Sequence, residues 1–325
     1  MPGFTTHYIF GMKAYNDMPF TPLKHTIAKY RWLYQLGLQG PDMFFYNIPI
    51  LRHRDYRNVG SYMHEHKVNA FFECCLRRIG TIRSRQQQEE AISYLAGFIN
   101  HYIADSICHP YVYGRIGYPV DAPTSMHHGM HAHLENELDA ILLWKYKKKK
   151  PSEFNQTATI CLNGQEIQFI SHFLASCINE TYYPITYRNN FQVTPAMVHR
   201  SIWALRFGCR TLSDKNGKKK FGIAQVESIF VNHPVASAKM VTDSVTDYRS
   251  SCNLNHEAWS NPWDPTRIST ASFVDLFHET LDKCSRVYAL LNSAVTDNVP
   301  LDKQDLSPLL IELGNESYHS GLPVD

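Results

Sequence analysis

Apolar side chains recur every three to four positions through several stretches of this chain, and that spacing predicts helices. Residues 22–38 (PLKHTIAKYRWLYQLGL) carry it up to Gly37 and Gly40, which suit a helix end. Residues 60–81 carry it from Ser61, a good N-cap, to Ile79–Gly80. The strongest stretch is 86–108, where good helix formers give way to an apolar run that stops before His109–Pro110. Further helices are predicted over 126–147, 194–212 and 270–294. The pattern changes near 157–169. There β-branched residues flank Asn163–Gly164, the best short-range hairpin signal in the chain, and predict a small β-hairpin insertion. Residues 221–268 show no clear period, and Pro262, Pro265 and two Trp within them suggest an ordered loop wall. The tail beyond Gly314 reads as loose. The fold class expected is therefore mainly α, a multi-helical body with a hairpin inserted.

Composition narrows the classes. An apolar fraction of 44% with only 19% charged residues excludes a disordered chain. A formal charge of +2 gives no net field that would attract nucleic acid. No window holds about 18 uninterrupted apolar residues, so a spanning helix is not expected. The start, MPGFTTH, lacks the charged and apolar regions of a secretory signal, so a cytoplasmic location is expected. The eight Cys are scattered without a C-x-x-C pair and read as reduced, packed thiols.

Histidine is the unusual residue, with 17 copies, many of them in the first half. In HYIADSICH, His101, Asp105 and His109 stand at i, i+4 and i+8, so a helix presents them as one stripe. Their surroundings are apolar, and burying uncompensated polar groups costs about 1–3 kcal/mol each. A cation supplies the compensation. Downstream, HHGMHAHLENELD sets His131 over Glu135 and His133 over Glu137, each at i, i+4 on different faces. His7, Asp42 and His64 are further candidates upstream. Imidazole and carboxylate without Cys fit a catalytic zinc site better than a structural one. Cys108, inside the stripe, reads as a packed thiol.

HYIADSICH followed by HAHLENELD resembles the zinc-dependent phospholipase C family, and more distantly the fungal single-strand zinc nucleases of the same fold. His131, Glu135, Asn136 and Asp139 match that family's H-x-x-x-E-N-x-x-D, and MPGFTTHYIFG and LQGPDMFFY look like its bacterial cytoplasmic branch. The resemblance covers roughly residues 1–145. It implies that Asp42, His64, His101 and Asp105 hold one zinc and that His109, His131 and Glu135 hold a second. Asp105 would bridge to a third ion that His7 also binds. Two features depart from the pattern. No Trp stands at the amino terminus, where the secreted phospholipases bind the third ion, and the Asp105–His109 gap is shorter than usual. Residues 1–150 are expected to form the zinc-binding catalytic core, with 151–325 packing on it as part of one continuous domain.

The implied activity is phosphodiester hydrolysis with two or three zinc ions. A zinc-activated hydroxide is the nucleophile, Asp105 bridges the metals, and Asp42 both binds metal and orients the water. A phospholipid or another phosphate ester is the implied substrate. Glu65, His66 and Asp139 are candidates for fixing imidazole tautomers. Phe44, Phe45, Tyr46, Tyr111, Tyr113, Trp259 and Trp263 are candidates for walling an acyl or headgroup cleft, and KYKKKK (145–150) for peripheral contact with an anionic membrane. A nuclease or nucleotidase with the same metals and a non-catalytic, metal-stabilised interaction protein are the alternatives. No basic-aromatic strip supports nucleic acid.

Overall fold

The computed structural model describes residues 3–46, 59–188, 192–211, 214, 218–230, 237, 240–243, 245 and 247–325. Helix α1 (Phe4–Asp17) is followed by α2 (Pro22–Lys29), α3 (Arg31–Gly37) and a 3-10 segment, Gly40–Tyr46. Then come α4 (Val59–Glu65), α5 (Val68–Thr81), the long α6 (Arg85–Arg115) and α7 (Ser125–Lys147). The later chain adds α8 (Gly164–Arg188), α9 (Pro195–Thr211), α10 (Lys218–Phe230), the single turn α11 (Tyr248–Ser251), α12 (Phe273–Thr296) and α13 (Ser307–Leu313). The fold is mainly α, as the periodicity predicts. Among the described residues no helix is long and apolar enough to cross a membrane.

Helix α6 is the axis of the fold. From Glu90 to Tyr113 nearly all its side chains are buried, so it is surrounded rather than laid on a surface. One apolar cluster joins it to α3, α5, α8 and α13 through residues such as Phe72, Phe98 and Leu309. A second joins its later half to α1, α7 and α12 through Phe10, Tyr111, Leu142 and Phe277. Both clusters mix residues from before and after position 150.

One close approach sets the geometry that matters later. Gly37 on α3 and Gly97 on α6 face each other's backbone, and a Cβ on either would overlap a carbonyl of the opposing helix. Two glycines thus let α3 lie directly on α6. The chain leaving α3 turns at Gly40, whose φ is +46° and whose missing Cβ makes room for the His101 ring. Asp42 follows at once and is delivered beside the stripe.

Several boundaries differ from expectation. The helix predicted over 22–38 is divided at Tyr30, where the carbonyl also accepts the Ser93 hydroxyl. The one predicted over 60–81 is divided before Lys67, which adopts φ +49° and donates its N–H to the carbonyl of Asp325. The stretch predicted to stop at 108 continues through Pro110 to Arg115.

The hairpin expected near 157–169 is not there. Residues Gln156–Thr159 form a 3-10 turn, and α8 begins at Gly164. Asn163 is an N-cap: its Oδ1 accepts from the Glu166 N–H, and its own N–H donates to the Glu166 carboxylate, at 2.9 and 2.8 Å. The same Asn-Gly dipeptide serves a turn or a helix start, and Glu166 decides for the helix. The two-stranded sheet lies instead at β1 (Trp259–Asn261) and β2 (Asp264–Ser269), antiparallel with Trp259 opposite Ser269. That is within the stretch read as a loop wall. The tail after Gly314 is also not loose, because Tyr318 is fully buried and the segment is tied down at both ends.

Candidate metal centre

Five elements bring the sequence-predicted residues together. His101, Asp105 and His109 lie along α6, all fully buried. His7 comes from α1, Asp42 from the 3-10 segment, His64 from the end of α4, and His131 with Glu135 from α7. Asp42, His64, His101 and Asp105 each offer one atom to a group whose members lie within 4.8 Å of one another. His109, His131 and Glu135 form a second such group.

Asp105 joins the groups. Its Oδ2 lies 3.2 Å from His101 Nε2 and 3.7 Å from His64 Nε2. Its Oδ1 lies 3.1 Å from His7 Nε2 and 3.6 Å from the His109 ring. One oxygen therefore serves the first group, and the other lies beside His7 and the Nδ1 side of the His109 ring. Asp42 Oδ1 stands 3.3 and 3.7 Å from His64 and His101. His131 Nε2 is 2.6 Å from Glu135 Oε1, and His109 Nε2 is 3.6 Å from that same oxygen. His7 stacks on His101 with ring centres 4.0 Å apart.

The donor set fits a cation. His7 Nδ1 and Nε2, Asp42 Oδ1, His64 Nε2, His101 Nε2, both Asp105 oxygens and His109 Nε2 are buried and make no hydrogen bond. At roughly 1–3 kcal/mol for each such atom, their sum rivals the about 5–15 kcal/mol that stabilises a whole domain. Metal coordination removes that penalty. Nitrogen and carboxylate oxygen, with sulfur absent, are the ligands of catalytic zinc.

The imidazoles are aimed by main-chain carbonyls. His64 Nδ1 donates to Gly60 O at 2.6 Å, His101 Nδ1 to Leu38 O at 3.1 Å, and His109 Nδ1 to Tyr318 O at 2.7 Å. Each bond fixes the proton on Nδ1 and turns Nε2 toward the cluster. Carboxylates from Glu65 and Asp139, and the His66 ring, do not take this role. Glu65 is exposed, and His66 packs on Tyr62. Asp139 instead accepts from Thr5 N–H and Thr6 N–H, at 3.1 and 2.7 Å, and so caps the helix carrying His7. On the other face of α7, His133 is half exposed and pairs with Glu137, which accepts the Ser251 hydroxyl. Cys108 packs against Thr280.

Burial and charge act against each other here. Burial pushes His7 and His131 down to about 4, so both are neutral and able to ligate at cell pH. Burial opposes the charge on Asp105, but the His109, His101 and His7 rings around it prevail and hold it well below the usual carboxylate range. Glu135 is lowered too, His131 outweighing its burial. Asp139, by contrast, is raised by burial to about 6.

The aromatic candidates separate. Phe44 and Tyr111 are core residues, and Trp259 packs edge-on to Tyr111. Tyr46 lies against Gly208. Phe45 lies 5.4 Å from His64, Tyr113 lies 4.5 Å from His131, and Trp263 lies 4.9 Å from Tyr113. Tyr118, stacked on Trp263, extends that wall although nothing in the sequence pattern around it marks it. Tyr318 and His319 enter the centre from a segment with no helical period and no metal-type spacing to mark it.

A family model described as zinc dependent phospholipase C matches residues 6–186, more than half of the chain, and the matched segment contains all eight candidate ligands. Comparison with curated proteins and with solved structures matches nothing. With the match over more than half its length and a buried His/carboxylate cluster inside it, this chain belongs to the zinc dependent phospholipase C family.

Proposed function

We propose that this protein hydrolyses a phosphodiester in the manner of a phospholipase C. Zinc would be held by Asp42, His64, His101 and Asp105 and by His109, His131 and Glu135. The observation that carries the reading is the cluster of buried atoms that lack hydrogen bonds, with one Asp105 oxygen at His101 and His64 and the other at His7 and the His109 ring. Zinc, when bound, makes water nucleophilic near neutral pH and neutralises charge on phosphoryl oxygens.

The chain's own residues do the rest. Carbonyls of Gly60, Leu38 and Tyr318 keep the Nε2 lone pairs of His64, His101 and His109 directed inward. Asp42, reaching the centre on its edge, is placed to accept a hydrogen bond from a water and orient it. His7, beside Asp105 Oδ1, is the added ligand for a third ion. Tyr113, Tyr118 and Trp263 form an apolar wall next to His131, which suits a substrate whose phosphate adjoins an acyl or other apolar group.

The test is turnover by the full chain with measured zinc content. Release of diacylglycerol from phospholipid, abolished by chelator and restored by zinc, is the expected result. Cleavage of single-stranded DNA without lipid turnover would replace the lipid substrate, and no turnover of either at full zinc content would remove the hydrolase reading.

A further inference from the structure

The family match ends at residue 186, yet the part of the chain that closes over the centre lies more than a hundred residues later. Tyr318 N–H donates to His64 O at 2.9 Å, and Tyr318 O accepts from His109 Nδ1. A single residue of the tail thus bonds to one ligand from each group. Its neighbour His319 lies across both groups. Its ring stacks on His64, centres 4.9 Å apart and 15° from parallel, and sits 5.8 Å from His109. His319 Nδ1 is 3.2 Å from Tyr113 Oη.

Three observations define what His319 does. It belongs to neither group of converging ligand atoms, although it touches members of both. It is partly exposed, whereas His64, His101 and His109 are fully buried, so it stands on the open side of the cluster. And it is held in place. Its N–H donates to Ser317 Oγ at 3.1 Å, and the next carbonyl, Ser320 O, accepts from Asn261 Nδ2 at 2.7 Å. Gly321 then packs over the carbonyl of Ser106, the group that Pro110 deprives of its i+4 donor.

We propose that His319 is a phosphate-contacting residue, donating a hydrogen bond from Nε2 to a phosphoryl oxygen of the substrate while Tyr113 holds Nδ1. A phenol donating to Nδ1 leaves the ring proton on Nε2, the only ring nitrogen then able to donate to a bound molecule. A fixed donor at the mouth of the centre costs no reorganisation when the phosphoryl charge arrives. The inference rests on the phosphodiesterase reading above, and it locates a substrate contact outside the matched segment.

Inorganic phosphate is the probe, titrated calorimetrically into the zinc-loaded full chain. His319→Ala should weaken phosphate binding at least tenfold with zinc content and melting temperature unchanged. His319→Gln, whose amide N–H falls near the position of Nε2, should recover part of that loss. His319→Asn, which mimics Nδ1, should not. Unchanged phosphate affinity in His319→Ala, or loss of zinc from it, overturns the proposal, as does a parent protein that binds no phosphate. A parent that binds phosphate through His319 but turns over no phosphodiester removes the hydrolase reading and leaves this site standing.

Discussion

The carboxylate of Asp139 accepts the main-chain N–H of Thr6 at 2.7 Å, although 133 residues separate the two. It accepts Thr5 N–H as well, so a side chain from α7 caps the first turn of α1 and fixes the helix that presents His7. Gly3 makes this possible, since a Cβ there would overlap the carboxylate. Asp139→Ala would leave two buried donors unsatisfied, at about 1–3 kcal/mol each. We expect a urea midpoint lowered correspondingly and weaker retention of the ion nearest His7. Unchanged stability would contradict the cap.

The same residue gives a pH signature. Its folded pKa, raised to about 6 by burial, exceeds its ordinary value of 3.8. The native state thus binds a proton that the unfolded chain has released. That contribution is fully present below pH 4 and is lost as pH rises through about 6, a swing of about 3 kcal/mol at 1.36 kcal/mol per unit. Asp139→Asn has no such titration. The stability difference, parent minus variant, should therefore fall between pH 4.5 and 7; parallel profiles would refute it.

Asp105 is a member of the first group and also lies beside His7 and His109. Asp105→Asn should lower zinc content in both groups and reduce turnover at least about a thousandfold, about 4 kcal/mol of barrier. Stripping the parent with chelator should lower its melting temperature, because the buried atoms lose their compensating cations, and zinc should restore it. A melting temperature indifferent to chelator would argue against metal at this site.

How far the sequence reveals this centre depends on locality. The stripe at 101–109 and the pair 131–135 are visible because helical spacing converts directly into a shared face. Asp42 and His64 are candidates by residue type alone and are assigned to a site only through the resemblance, since no periodicity announces that a Gly37–Gly97 contact brings α3 and its sequel against α6. Asn163–Gly164 misleads because one dipeptide serves two backbone outcomes, and the arbiter is a side chain three residues on. Strand β1 is only three residues long and β2 is exposed at four of its six positions, so neither carries an apolar alternation to read. Tyr318 and His319 are hidden for a different reason. Their role passes through a carbonyl and a ring stack, neither of which has a sequence pattern.

The tail yields its own prediction. Gly321 has φ +60° and lies against Ser106 O, so Gly321→Val is both strained and obstructed. The left-handed conformation alone costs roughly 1–2 kcal/mol for a residue with a Cβ. We expect loss of the Tyr318–His109 hydrogen bond and, in competition with chelator, zinc released from the second group before the first. Simultaneous release from both groups would show that the tail does not hold His109.

The central claim is that cations sit among these eight side chains, and anomalous scattering from crystals at the zinc absorption edge tests it most directly. One peak is expected within coordination distance of Asp42, His64, His101 and Asp105, and a second at His109, His131 and Glu135. A map with no anomalous peak at either group, from protein purified and crystallised with zinc present, would contradict it.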